Sequence, residues 1–197
     1  MSFLLGLTGS IGMGKSTTAK MFAEEGCALW DADAAVHRLY SEGGAAVGPI
    51  ATMFPEAIEN RVVSRSKLKE IIDSDPSALK RIEAVVHPLV AKDREDFIAQ
   101  TDAEIIVLDI PLLFENGFES RLDAVACVSV PADVQRQRVL ERGTMNEAQF
   151  NAILARQMPN EEKCAHSDFV IETDTLEHAR QQVHDVVAQI KSRLANA

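Results

Sequence analysis

The segment Gly9-Ser-Ile-Gly-Met-Gly-Lys-Ser16 holds three glycines and ends in a lysine followed by a hydroxyl. Its spacing is G-x-x-x-x-G-K-[ST], the pattern of a phosphate-binding loop. Glycine at this density weakens a helix or a strand, so what it supplies is backbone freedom. That freedom lets successive N–H groups turn inward around phosphate oxygens, while the helix that follows points its positive end at them. Lys15 would reach the β- and γ-phosphates and the Ser16 hydroxyl would ligate Mg²⁺. The competing reading is a glycine-rich turn with no ligand. The flanking residues favour a site that binds a nucleoside triphosphate, because the motif needs a strand before it and a helix after it. Phe3 to Leu7 is a short apolar run, and Ser16 to Glu25 has helical spacing closed by Gly26.

Other residues could complete a phosphoryl-transfer site. Asp109 closes the apolar run Ile105 to Leu108, the position of a carboxylate that holds Mg²⁺ directly or through water. Capping the turn before Pro111 is the alternative. Asp31 and Asp33 follow another apolar run, and a carboxylate there could take the proton from an acceptor hydroxyl. They could equally begin the helix of "AAVHRLY", where acidic residues suit the N-terminus. Arg136, Arg138 and Arg142 are spaced along one helical stretch, with Arg156 beyond it. The planar guanidinium suits phosphate oxygens, and one such group can neutralise charge in the transition state. His37 and His87 carry no pattern that separates chemistry from structure.

Five apolar runs must position these groups: Phe3 to Leu7, Cys27 to Trp30, Ile105 to Leu108, Ala124 to Val130 and Phe169 to Ile171. Strands apolar throughout are covered on both faces, and helical patterns lie between them, which predicts a doubly wound, parallel, five-stranded α/β sheet. Ligands gather at the carboxyl ends of such strands, where the loop, Asp31, Asp33 and Asp109 fall. Residues 34–102 read as a helical insert without a convincing strand. Ser64 or Ser66 caps one of its helices, Pro76 starts another, and Pro88 should kink or end that helix. Residues 138–165 read as a helix, a break at Gly143, a second helix and Pro159, a hairpin able to act as a lid. The core is then 1–33, 103–137 and 166–197, all in one domain.

Composition narrows the classes further. The 197 residues are 46% hydrophobic with a net charge of −10, which argues against nucleic acid as partner. No apolar run reaches membrane length and no basic segment precedes Phe3, so the expectation is a cytoplasmic protein with no membrane contact. Three scattered cysteines support neither a disulfide framework nor a zinc site.

In sequence and order, "GLTGSIGMGKST", "DADAAVHRLY", "EAVVHPLV", "VLDIPLLFE" and "ILARQMPNEEK…SDFVI" resemble the dephospho-CoA kinase family over essentially the whole chain. The resemblance implies a P-loop kinase core, a helical CoA-binding insert and a lid. It implies transfer of phosphate from ATP, with Mg²⁺, to the ribose 3′-hydroxyl of dephospho-CoA, the last step of coenzyme A biosynthesis. By it, Gly12, Met13, Gly14, Lys15, Ser16 and Thr17 form the ATP-binding loop, with Arg138 as a further clamp. Asp33 matches the catalytic base and Arg142 the lid arginine, beside Lys15. Asp31, the segment around His87, and Leu112, Leu113 and Glu115 match the acceptor side. Ser10 and Met13 stand where the family more often has Gly and Ser, and Cys164 or His166 where it often has arginine. A nucleoside monophosphate or shikimate kinase would share core and lid. A GTP switch would need N-K-x-D and D-x-x-G, and neither string occurs. A nucleotide-binding regulator is disfavoured by the joint presence of Lys15, Ser16, Asp33 and Asp109.

Overall fold

The structure, a computed structural model, describes residues 2–196. Its strands are β1 (Phe3–Thr8), β2 (Ala28–Asp31), β3 (Ile58–Glu59), β4 (Val62–Val63), β5 (Ile105–Asp109), β6 (Ala124–Ser129) and β7 (Phe169–Glu172). The helices are α1 (Lys15–Glu24), α2 (Ala32–Tyr40), α3 (Val47–Met53), α4 (Arg65–Ser74), α5 (Ser77–Gln100), α6 (Ala132–Glu141), α7 (Glu147–Leu154), α8 (Asn160–Ala165) and α9 (Leu176–Ala195). The chain divides into two compact units, one of residues 1–30 and 101–197, the other of residues 31–100.

The first unit is built on a five-stranded sheet in the order β2-β5-β1-β6-β7. β1 pairs in parallel with β5 and with β6, and β6 in parallel with β7. Every residue of β5 is buried, as are the first five of β6, because helices cover both faces. Phe22 of α1 and Val183, Val187 and Ile190 of α9 pack into one core with Leu5, Leu7 and Val128 of the sheet. α1 ends as its sequence predicts: Gly26 has φ 87° and its N–H bonds the Ala23 carbonyl at 3.0 Å.

The second unit has a core of its own, centred on Leu39, Ile50, Phe54, Leu68, Ile82 and Val86. One local expectation is corrected here, and a second is narrowed. A strand pair does occur in the insert, β3 antiparallel to β4, turned by Asn60 (φ 48°) and Arg61 (φ 65°). Two-residue strands are too short to show a period of two, and only positive φ at both turn residues brings them together. Nor does Pro88 end its helix, since α5 runs on to Gln100. Proline removes one backbone hydrogen bond there, and burial of Ala78, Ile82 and Val86 in the preceding turns holds the helix. Of the two candidate serines, Ser64 is the cap, accepting the Lys67 N–H. Asp75 accepts the Ser77 N–H at 3.0 Å, with Pro76 between them at the start of α5.

Candidate active site

The phosphate loop joins β1 to α1. Gly12 has φ 80° and Gly14 φ 89°, a region that side chains rarely adopt. A Cβ on Gly12 would lie 2.5 Å from Val139 Cγ2, and one on Gly14 2.9 Å from Thr173 Oγ1. Both positions therefore need glycine on two counts. Side chains from distant elements fix the loop backbone. Gln135 Nε2 donates to the Ile11 carbonyl at 2.7 Å, and Thr173 Oγ1 donates to the Met13 carbonyl at 2.7 Å. The Ile11 N–H meets Gln157 Oε1 at 3.4 Å. Met13 turns into the core, where its sulfur accepts the Val130 N–H, so this departure from the family pattern leaves the cradle's backbone alone.

The Lys15 ammonium pairs with Asp109 Oδ1. The pair arises because the β1–β5 register sets Leu7 opposite Asp109, which brings the strand-end carboxylate beside the start of α1. Asp109 is only 3% exposed, whereas Ser16 and Thr17 stand exposed in the first turn of α1. A cavity of about 780 Å³ borders the loop, with Ser10, Met13, Pro131, Gln135, Gln157 and Asn160 in its wall.

The arginines separate. Arg136 pairs with Glu147 at 2.6 Å across the Gly143 break. Arg138 donates to Thr173 Oγ1 at 3.1 Å and to the Thr173 carbonyl at 2.7 Å, so it braces the residue that holds the Met13 carbonyl. Arg142 caps the end of α6, exposed, and pairs with none of the described residues. Arg156 is exposed after α7.

The segment after β5 also splits. Leu112 is 39% exposed, while Leu113 is wholly buried. Leu113 belongs to the core and lies over Gly6, where an added Cβ would come within 2.7 Å of it. Glu115 turns toward α8. Its Oε1 accepts the Met158 N–H at 2.8 Å and lies 2.9 Å from the Nζ of Lys163, a fully buried lysine. The ammonium faces Oε1 as an ion pair without hydrogen-bond alignment. Nothing in the sequence marks Lys163, since a lysine in a short charged helix reads as a solvated residue.

Burial by itself would raise the Glu115 carboxyl. The Lys163 ammonium and the Met158 N–H outweigh it and hold the group below its usual range. A depressed carboxylate contributes stability that is present above its unfolded value and lost as pH falls through the folded one. Parent protein should therefore lose melting temperature below pH 4.5, the ordinary value for this group. Glu115→Gln should show a shallower acid limb by thermal melts across pH 3 to 6. Parallel limbs would assign the acid sensitivity to other carboxylates.

In the second unit, Asp31 caps α2, its carboxylate accepting the Ala34 N–H at 2.9 Å. Asp33 lies in the first turn, exposed. Asp33 and His87 lie on the wall of a cavity of about 470 Å³, with Val36, Tyr40, Arg65 and Lys69. Arg65 stands over the Tyr40 ring, 5.8 Å from its centroid. Burial raises the Tyr40 hydroxyl above its usual value and the Arg65 charge pulls it part of the way back. The sequence offered no pattern for Tyr40, Arg65 or Lys69, which α2 and α4 bring together.

A parallel sheet of this order, with a glycine cradle after its central strand and the loop lysine on a strand-end carboxylate, defines a P-loop kinase. The family model described as dephospho-CoA kinase matches residues 3–178. The chain belongs to the dephospho-CoA kinase family. A dephospho-CoA kinase of Ruegeria pomeroyi is 68% identical over 192 residues, covering 98% of each chain. One of Cereibacter sphaeroides is 58% identical, covering 96% of each. The solved dephospho-CoA kinase of Campylobacter jejuni shares the fold at a TM-score of 0.72 and 24% identity, covering 96% of this chain and 98% of that one.

Proposed function

We propose that this protein transfers the γ-phosphoryl group of ATP to the ribose 3′-hydroxyl of dephospho-CoA, yielding coenzyme A and ADP. The observation that carries the reading is the loop of residues 9–16 with Lys15 set against Asp109, in a chain of this family. Backbone N–H groups of Gly12 to Thr17 take the phosphates, and Lys15 exchanges part of its contact with Asp109 for the β- and γ-oxygens. The 780 Å³ cavity beside the loop has the size of a small-molecule site.

The donor set suits Mg²⁺. No group of three or more His, Cys, Asp or Glu gathers among the described residues, and Mg²⁺ is usually held by one or two protein oxygens together with substrate phosphates. The Ser16 hydroxyl and the Asp109 carboxylate would hold it, and when bound it offsets charge on the transferring group. Asp33 takes the proton from the acceptor hydroxyl. Its support is an exposed carboxylate on the wall of an apolar cavity rimmed by Arg65 and Lys69. That cavity suits the acceptor, a chain-like apolar arm attached to phosphates. Residues 138–165 act as the lid, with Arg142 as the arginine that meets the phosphoryl group. No helix among the described residues is long and apolar enough to cross a membrane, and the reaction suits the cytoplasm.

An assay of ADP release with and without dephospho-CoA tests the reading, with shikimate and nucleoside monophosphates as rival acceptors. Lys15→Ala should reduce turnover by about 10²–10³-fold, the range for removing one group that stabilises transition-state charge. It also leaves Asp109 without its lysine, so a lower melting temperature should accompany the loss. Turnover near the parent rate would remove this loop from the chemistry.

A further inference from the structure

We propose that Lys163 is a positioning residue for the nucleotide site, acting through Glu115 and Gln157 on the phosphate loop. The inference rests on the reading of residues 9–16 as the ATP loop. Lys163 is wholly buried, while Glu161 and Glu162 beside it on α8 are exposed. A lysine rarely takes such a place, and a buried ion pair is weak as a source of stability, because an apolar pair of equal volume often does as well. What this pair holds is more informative. The ammonium faces Glu115 Oε1 at 2.9 Å, and the same oxygen accepts the Met158 N–H at 2.8 Å. The carboxylate thereby fixes the backbone next to Gln157, whose side-chain oxygen meets the Ile11 N–H. Asn160 adds a second anchor, its Nδ2 donating to Ser129 Oγ at 2.8 Å.

Ile11 lies inside the loop, and its carbonyl is held from the other side by Gln135. Two glutamines thus hold the two peptide groups that flank the Ile11 Cα, one through the Ile11 N–H and the other through the Ile11 C=O. The orientation of these two peptides constrains how the following N–H groups turn toward phosphate. Gln135 comes from α6, and Gln157 comes from the return after α7. Lys163 is the charge that keeps this return in place.

Lys163→Met keeps the length of the side chain and removes the charge. It should raise the KM for ATP by about three- to tenfold, the effect of losing an ordinary hydrogen bond, with kcat changed less. Gln157→Ala should raise the same KM by a similar factor. The double variant should be no worse than the weaker-binding single one, because Lys163 and Gln157 act on one clamp. If Lys163→Met fails to fold, Glu115→Gln takes its place in the same cycle. A folded variant with the parent KM for ATP overturns the proposal, and so do effects that multiply in the double variant, since a purely structural lysine would lower the melting temperature without that coupling. Lys15→Ala is the control. If it keeps parent turnover, the loop reading itself falls. If it loses turnover while Lys163→Met keeps the parent KM, only the positioning role falls.

Discussion

Arg142→Ala should lower kcat by about 10³–10⁵-fold, the range for an arginine that stabilises transferring phosphate, while leaving the KM for dephospho-CoA nearly unchanged. The structure sharpens the choice among four arginines. Arg136 is committed to Glu147 and Arg138 to Thr173, so removing either disturbs packing as well as charge. Arg142 ends α6 just before Gly143, whose φ of 64° breaks the helix, and its guanidinium is exposed. Truncating it should leave the melting temperature almost unchanged, as for most surface substitutions. Arg142→Lys should recover little, because an ammonium cannot present the planar fork to two oxygens. Steady-state kinetics for both substrates, with thermal melts, make the comparison. A rise in KM alone would make Arg142 a binding residue. No change in either constant would pass the role to Arg156, which is also exposed.

Asp33→Asn should slow phosphoryl transfer by about 10²–10⁴-fold, the usual contribution of a positioned general base. The geometry removes the main objection to assigning a base here. The helix cap is Asp31, whose carboxylate accepts the Ala34 N–H, so Asp33 is not needed to start α2. Its charge in the first turn favours the helix dipole by roughly 0.3–1 kcal/mol, so Asn at this position should cost little stability. Asp31→Asn should be milder in activity and nearly silent in stability, since Asn caps as well as Asp. Single-turnover transfer to dephospho-CoA by both variants, beside their melting temperatures, separates the roles. A folded Asp33→Asn enzyme with the parent rate would reduce Asp33 to a charge at a helix end.

What the sequence by itself determined is whatever depends on neighbours along the chain. The loop was legible because Gly12 and Gly14 must take positive φ, and because Lys15 and Ser16 follow at fixed spacing. The sheet strands were legible because strands buried on both faces are apolar without interruption, and β5 ends at Asp109 as its residues predict. The order of elements then implied the parallel sheet. The β3–β4 hairpin and the passage of α5 through Pro88 were not legible, since one is too short for periodicity and the other depends on the core that α5 joins.

The tertiary structure alone decided the partners. Lys15 and Asp109 are 94 positions apart, and only the β1–β5 register joins them. Arg138 and Arg142 have the same type and lie one helical turn apart, yet one reaches Thr173 and the other reaches solvent. Leu112 and Leu113 are neighbours, one exposed and one wholly buried. Lys163 looks like a surface charge until α8 packs on β6 and faces Glu115. Residue type and spacing set what a side chain can do. Which charge, carbonyl or solvent it meets depends on segments far away in the chain, and those are brought to it only when the apolar faces of the sheet and helices close on one another.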